Sequence, residues 1–291
     1  MVEIETSVKT KLSEGLCKEI FGRSLQELSA QVESHTFSAQ AWLSSRSPQA
    51  VRLELCGTRL SSTGLKIPLL NLAIGSNFPA GATENEIEAE IETAKKFFAD
   101  RQVPWYWWMN TSPSPRNIGN ILKKHGIEFD DRPLPAMAAP LSKTDCPPGY
   151  PEHIRVWQAE SIADLQAASY IRRKAFRFPE GEAMTYFEDM ASDWLENPNA
   201  KLLLAGETIN TPVSMGALIL GANIPGIYVM ATLPDHHRNG YGKAILTSLM
   251  NEAIRDGHQI IALTASKAGY GLYSQFGFQH IFDFDFYFPV G

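Results

Sequence analysis

From Ala231 to Leu246 the chain reads Ala-Thr-Leu-Pro-Asp-His-His-Arg-Asn-Gly-Tyr-Gly-Lys-Ala-Ile-Leu. An apolar run stops at Pro234, a polar loop follows, and Gly240-Tyr241-Gly242 opens a segment in which Ile245, Leu249, Met250, Ala253 and Ile254 recur at helical spacing. A strand feeding an amphipathic helix through a short loop points to layered α/β architecture. The junction is also suited to an anion. The first amides of a helix have no intrahelical partner, and the helix dipole adds partial positive charge there. Glycine at 240 and 242 lets an oxyanion approach those amides, and Arg238 and Lys243 add formal charge in the same turn. A pyrophosphate suits this arrangement. Glycine pairs also occur at tight strand-to-helix turns that hold no ligand, so the loop alone leaves both readings open.

The elements around this junction can be read in order. Residues 142–151 concentrate proline, glycine and polar residues between two apolar segments, with Pro147 and Pro148 imposing extended backbone before them. This stretch is expected to separate residues 1–145 from 152–291, as a linker or a crossing connection. After it, strands are expected at 153–158, 201–206, 213–220, 227–233 and 259–265. Helices are expected at 161–176, 182–195, 240–256 and 268–276. A closing period-2 strand spans 280–288, with Phe282, Phe284, Phe286 and Phe288 on one face. Ahead of residues 142–151, one helix is expected to cover the first thirty residues, followed by strand-like runs at 51–56 and 65–74. Thr83-Glu84-Asn85-Glu86 has the form of a capping box that starts a helix burying Ile87, Ile91, Ala94 and Phe98. A short aromatic strand at 104–109 and a helix at 116–125 closed by Gly126 complete this half. The residue pattern shows no internal repeat.

Composition narrows the function classes. A chain of 291 residues, 44% hydrophobic and 20% charged, is that of an ordinary globular protein with length for two cores. The formal charge of −6 argues against a broad nucleic-acid surface. No run of eighteen apolar residues predicts a membrane span, and the charged N-terminus does not read as a signal peptide, so a cytoplasmic protein is expected. Cys17, Cys56 and Cys146 are far apart and odd in number, which suits reduced structural thiols rather than a disulfide framework. Trp105, Tyr106, Trp107 and Trp108 could stack on bases or sugars, although a strand buried on both faces accounts for them as well. His236 and His237 are adjacent and lack further ligands at metal spacing, so no metal is expected.

A second segment, Ser266-Lys-Ala-Gly-Tyr-Gly-Leu-Tyr-Ser-Gln-Phe-Gly-Phe278, follows the next expected strand. Together the two segments resemble the GNAT acyltransferases. That family carries a (Gln/Arg)-x-x-Gly-x-(Gly/Ala) loop and, about thirty residues later, an Asn-x-x-Ala-x-x-Leu-Tyr-x-x-x-Gly-Phe helix. Pro234, Gly240, Gly242, Leu272, Tyr273, Gly277 and Phe278 match in register across residues 152–288. His237, Ser266 and Gly269 depart from the pattern, standing where the family has Gln/Arg, Asn and Ala. The segments around Trp105, Pro115–Gly126 and Met137–Leu141 are similar to the first lobe of tandem GNAT proteins. That half contains no Arg-x-x-Gly-x-Gly loop, so it is read as a degenerate lobe.

The resemblance implies two mixed α/β lobes, each a twisted sheet flanked by helices, with one acetyl-CoA site in the second. It places the backbone of Met230, Ala231 and Thr232 along the pantetheine arm. His237, Arg238, Asn239, Gly240, Tyr241, Gly242 and Lys243 fall around the pyrophosphate. Ser266 lies beside the CoA arm, and Tyr273 becomes the acid that protonates the leaving thiolate. A phenol suits that role, because it stays protonated at neutral pH. The implied reaction is direct acetyl transfer to an amine on a small molecule or a protein. The expected strands at 227–233 and 259–265 contain no acidic residue to serve as general base. Candidates elsewhere are Glu180, Glu182, Glu188, His280, Asp283 and Asp285, and a water relay or an already neutral amine is also open. The missing base motivates a rival, a non-catalytic protein of the same fold that binds CoA or a protein partner. A different two-lobed acyl or aminoacyl transferase is a third reading.

Overall fold

The structure is a computed structural model that describes residues 10–142, 147–179, 181, 185–221 and 224–290. Cys146, Glu180 and Glu182 lie outside these residues. The N-terminal half contains α1 (Glu14–Phe21), α2 (Leu25–Leu43), β1 (Val51–Glu54), β2 (Arg59–Ser62), β3 (Asn71–Ile74), α3 (Glu84–Asp100), β4 (Tyr106–Trp108), α4 (Ile118–Lys124) and β5 (Ile127–Pro140). The C-terminal half contains β6 (Arg155–Gln158), α5 (Ile162–Phe176), α6 (Ala191–Leu195), β7 (Ala200–Gly206), β8 (Pro212–Leu220), β9 (Pro225–Thr232), α7 (Tyr241–Arg255), β10 (Ile260–Thr264), α8 (Tyr270–Gln275) and β11 (Gln279–Pro289).

Local chemistry sets most boundaries. Thr83 and Glu86 close the expected capping box, and Ser24 with Glu27 and Ser161 with Asp164 do the same for α2 and α5. The single helix expected near the N-terminus is two, because Gly22 takes the left-handed conformation at φ 64° and Ser24 starts a new helix. The run at 65–74 divides at Pro68, which opens a 3-10 turn ahead of β3. The helix expected over 182–195 is shorter, a 3-10 turn at Glu188–Met190 leading into the five residues of α6.

The eleven strands among the described residues join one sheet, in the order β1-β2-β3-β4-β11-β5-β10-β9-β8-β7-β6. Read outward from the central β11–β5 pair, the two sides repeat. Each has an antiparallel neighbour, then a parallel pair (β4 with β3, β10 with β9), then antiparallel strands, two on the N-terminal side (β2, β1) and three on the C-terminal side (β8, β7, β6). The repeat missing from the residue pattern is one of topology. Each half also lends its last strand to the other: β5 pairs with β10, and β11 pairs with β4. Pairing therefore crosses the boundary expected at 142–151.

Side-chain alternation along these strands feeds cores on both faces. Met137, Ala139, Ile261 and Leu263 pack under α7 and α8, while Ala136, Ala138, Ile260 and Ala262 face α1 and α2. Phe284 and Phe286 join the second set with Trp108, as the period-2 reading of β11 requires. Trp105, Trp107 and Trp108 are buried, so the aromatic strand is a core element and not a stacking surface.

Candidate active site

The parallel pair β9–β10 keeps register only at Gly226 with Ala262 and Ile227 with Leu263. Beyond Ile227, β9 continues alongside β8 alone, so an opening forms between β9 and the turn that leads from β10 into α8. A bulge marks the departure. Met215 pairs with Ala231 and Ala217 with Tyr228, so Gly216 alone faces both Val229 and Met230. Val229 sits at φ 48°, a conformation that is strained for a β-branched residue. Gly216 is needed here, since a Cβ on it would lie 2.6 Å from Ile245 Cγ2.

At the end of β9 the chain makes a 3-10 turn at Pro234–His236, and Arg238 adopts φ 63°. Gly240 then caps α7 at φ 91° with no side-chain hydrogen bond. The first internal bond of the helix is from Ala244 N–H to the Gly240 carbonyl, 2.9 Å, which leaves the amides of Tyr241, Gly242 and Lys243 without an intrahelical partner. Arg238 and Asn239 are exposed and Lys243 is half-buried beside these amides.

The two glycines have different reasons to be glycine. A Cβ on Gly240 would point at Pro151 Cδ, 3.2 Å away, and at Ile154, so positive φ and packing fix that residue. Gly240 is thereby accounted for without a ligand. Gly242 has a helical conformation, and a Cβ there would meet only Thr232 Oγ1 at 3.7 Å and Leu272 Cδ2 at 3.8 Å, ordinary contact distances. Nothing in the fold requires glycine at 242, where alanine would favour the helix by about 1 kcal/mol. The missing side chain faces Thr232 on β9 and Leu272 on α8, across the opening.

Other expected residues serve the loop. The Thr232 carbonyl can only accept, so His237 donates from Nε2 to it at 2.9 Å, bracing the turn. His236 packs edge-on against the Tyr241 ring, so the two imidazoles serve different neighbours. The Tyr241 hydroxyl reaches Glu207 Oε1 at 3.5 Å, leaving its amide as its contribution to the helix end. Ser266 Oγ accepts from Gly269 N–H at 3.2 Å in the turn that precedes α8, keeping its own hydrogen to donate.

Tyr273 lies on α8 with 8% of its surface exposed, and burial pushes its phenol up to about 12. Its hydroxyl donates to Met230 Sδ on β9, 3.8 Å away. Gly269, where the family pattern has alanine, is what the ring rests on, since a Cβ there would lie 2.8 Å from Tyr273 Cε2. The described base candidates are engaged elsewhere. Glu188 accepts from Ser169. Asp283 holds His280 Nε2 and Lys11, each at 2.9 Å. Asp285 lines a separate hollow with Arg116, Asn120 and Tyr287, where burial raises its carboxyl above the usual range.

The related pair β3–β4 is closed at the corresponding end. Gly75 N–H donates to the Trp108 carbonyl at 2.9 Å, and Asn110 Oδ1 accepts from Ser76 N–H at 2.6 Å. Ser114 and Phe78 continue the bonding. The N-terminus of α3 is filled by its own capping box, where the Glu86 carboxylate accepts from Thr83 N–H at 2.7 Å.

Residues 162–278 match the model of the Acetyltransferase (GNAT) family. No curated protein matches the sequence. Among solved structures, a GCN5-related N-acetyltransferase from Kribbella flavida is 17% identical with a TM-score of 0.66, covering 89% of this chain and 96% of that one. One from Sphaerobacter thermophilus is also 17% identical, at a TM-score of 0.60 and coverage of 81% and 82%. A tandem GNAT protein from the clavulanic acid biosynthesis pathway is 11% identical, at 0.57 and 84% of both chains. At these identities the likeness is one of fold, and it extends over both halves.

Proposed function

We propose that this chain, whose residues 162–278 form a domain of the GNAT acetyltransferase family, transfers an acetyl group from acetyl-CoA to a primary amine at the opening between β9 and β10. The observation that carries the reading is Gly242: an uncapped helix end meets a splayed strand across a glycine that neither conformation nor packing requires. The Tyr241, Gly242 and Lys243 amides, with Arg238 and Lys243 as charges, hold the pyrophosphate. Met230 to Thr232 extend along the pantetheine arm as an adjoining strand.

Acetyl-CoA bound there supplies an activated acetyl thioester. A backbone amide of β9 past the bulge stabilises oxyanion charge on the carbonyl as it develops. Tyr273 gives its proton to the departing sulfur. β9 and β10 carry no carboxylate or imidazole, which favours an amine that arrives as the neutral base and attacks while acetyl-CoA is bound. The nitrogen releases its surplus proton to solvent as the amide forms, and Tyr273 is reprotonated from solvent. The closed β3–β4 end supports reading the N-terminal half as a supporting lobe without a cofactor site.

The test is release of free thiol from acetyl-CoA in the presence of a panel of primary amines. Turnover with at least one amine supports the reading. Acetyl-CoA binding with no thiol release from any amine would favour the non-catalytic alternative.

A further inference from the structure

The acceptor that the structure gives Tyr273 is itself a sulfur. Its hydroxyl donates to Met230 Sδ at 3.8 Å, a contact that joins α8 to β9 across the place where β9 has left β10. Thioether sulfur is a weak acceptor, yet a buried phenol is seldom left with none. Both ends of the contact rest on glycine. A Cβ on Gly216 would lie 3.1 Å from Met230 Cγ, and one on Gly269 would lie 3.3 Å from the Tyr273 hydroxyl. The bulge at Val229 turns Met230 toward the α7–α8 face, where it packs against the core containing Tyr273.

We propose that Met230 is a positioning residue whose thioether stands in for the thioester sulfur, taking the Tyr273 hydrogen bond until acetyl-CoA arrives and withdrawing when it binds. This rests on the reading of the opening as the acetyl-CoA site. The thioether keeps the phenol hydrogen aimed at a sulfur in both states, so the acid needs no reorientation during the reaction. Binding then exchanges one O–H···S contact for another, and methionine, unbranched and flexible, can move aside.

Methionine labelled with ¹³C at its methyl group provides the test, with the Met230 resonance assigned by its loss in Met230→Leu. In the wild-type protein, saturation with acetyl-CoA is expected to shift the Met230 methyl signal. Tyr273→Phe is expected to shift the same signal without ligand. Met230→Leu keeps the volume but removes the acceptor, so only the unliganded state loses a contact, and calorimetry should find acetyl-CoA bound roughly fivefold more tightly. Acetyl-CoA binding with an unmoved Met230 signal, or affinity in Met230→Leu equal to or weaker than wild type, overturns this inference alone. Absence of acetyl-CoA binding to the wild-type protein overturns it together with the proposed function.

Discussion

Leu122 on α4 is to Gly126 what Tyr273 on α8 is to Gly277. Both helices end on a residue at φ −94° and ψ 14°, His125 or Phe276, and both glycines follow in the left-handed region, at φ 71° and 82°. The two halves therefore repeat down to a helix cap, while the position that offers a phenol in one offers only methyl groups in the other. Leucine has no proton to give. The asymmetry is what the proposed acid role of Tyr273 in the C-terminal half requires.

Replacing Tyr273 by Phe keeps the ring and removes the donor. Turnover should fall by about 10²-fold, corresponding to about 2.7 kcal/mol of transition-state stabilisation. Acetyl-CoA affinity should change little. Steady-state kinetics on an accepted amine, paired with calorimetry, separates the two effects, and wild-type turnover in the variant would make Tyr273 a packing residue.

The two glycines of the loop should separate stability from binding. Gly242→Leu adds a side chain toward Thr232 and Leu272, so the folded protein should be at least as stable while its stabilisation by acetyl-CoA disappears. Gly240→Ala forces a side chain into φ 91° against Pro151, which should cost about 1–3 kcal/mol but leave the acetyl-CoA response in place. Urea denaturation with and without acetyl-CoA reads both. The reverse pattern would move the phosphate position to Gly240.

With no protein base on β9 or β10, log kcat/KM should rise by about one per pH unit and level off at the acceptor amine's own pKa. The Tyr273 phenol, held near 12, contributes no descending limb below about pH 11. Profiles measured with two amines of different basicity decide this. A break at one pH for both amines would reveal a titrating protein group.

His35 on α2 is 6% exposed, has no hydrogen-bond partner for either ring nitrogen among the described residues, and is pushed down to about 4 by burial. It fits against β8–β9 because Gly221 and Gly226 have no Cβ; one on Gly226 would lie 2.4 Å from Nε2. The folded state resists protonation and the unfolded state does not. This stability is therefore complete above the unfolded value near 6.5 and is lost as pH falls toward 4, by about 3 kcal/mol. Urea denaturation at pH 7 and pH 4 should show the loss in the wild-type protein and a smaller one in His35→Met. Equal losses in both would place the acid sensitivity in other groups.

What could be read in the sequence was local. Thr83 with Glu86 and Ser161 with Asp164 announce helix starts because both members of each box lie within one turn. Gly22 followed by Ser24 and Glu27 carried the same kind of signal, enough to divide the first helix. The loop and α8 motifs were legible as a pair because both halves of the site lie close in the chain. The exchange of β5 and β11 was not, since nothing in a strand names the strand it will pair with. The bulge was hidden because Val229 is a good strand former. The separate duties of Gly240 and Gly242 depend on Pro151 and Leu272, which reach them only in the folded protein.

The central claim, a single acetyl-CoA site at the opening between β9 and β10, is tested most directly by calorimetric titration of acetyl-CoA into the wild-type protein and into Gly242→Leu. One site per chain in the first and none in the second is the expected result. Two equivalent sites in the wild-type protein, or a site that survives in Gly242→Leu with unchanged affinity, would contradict it.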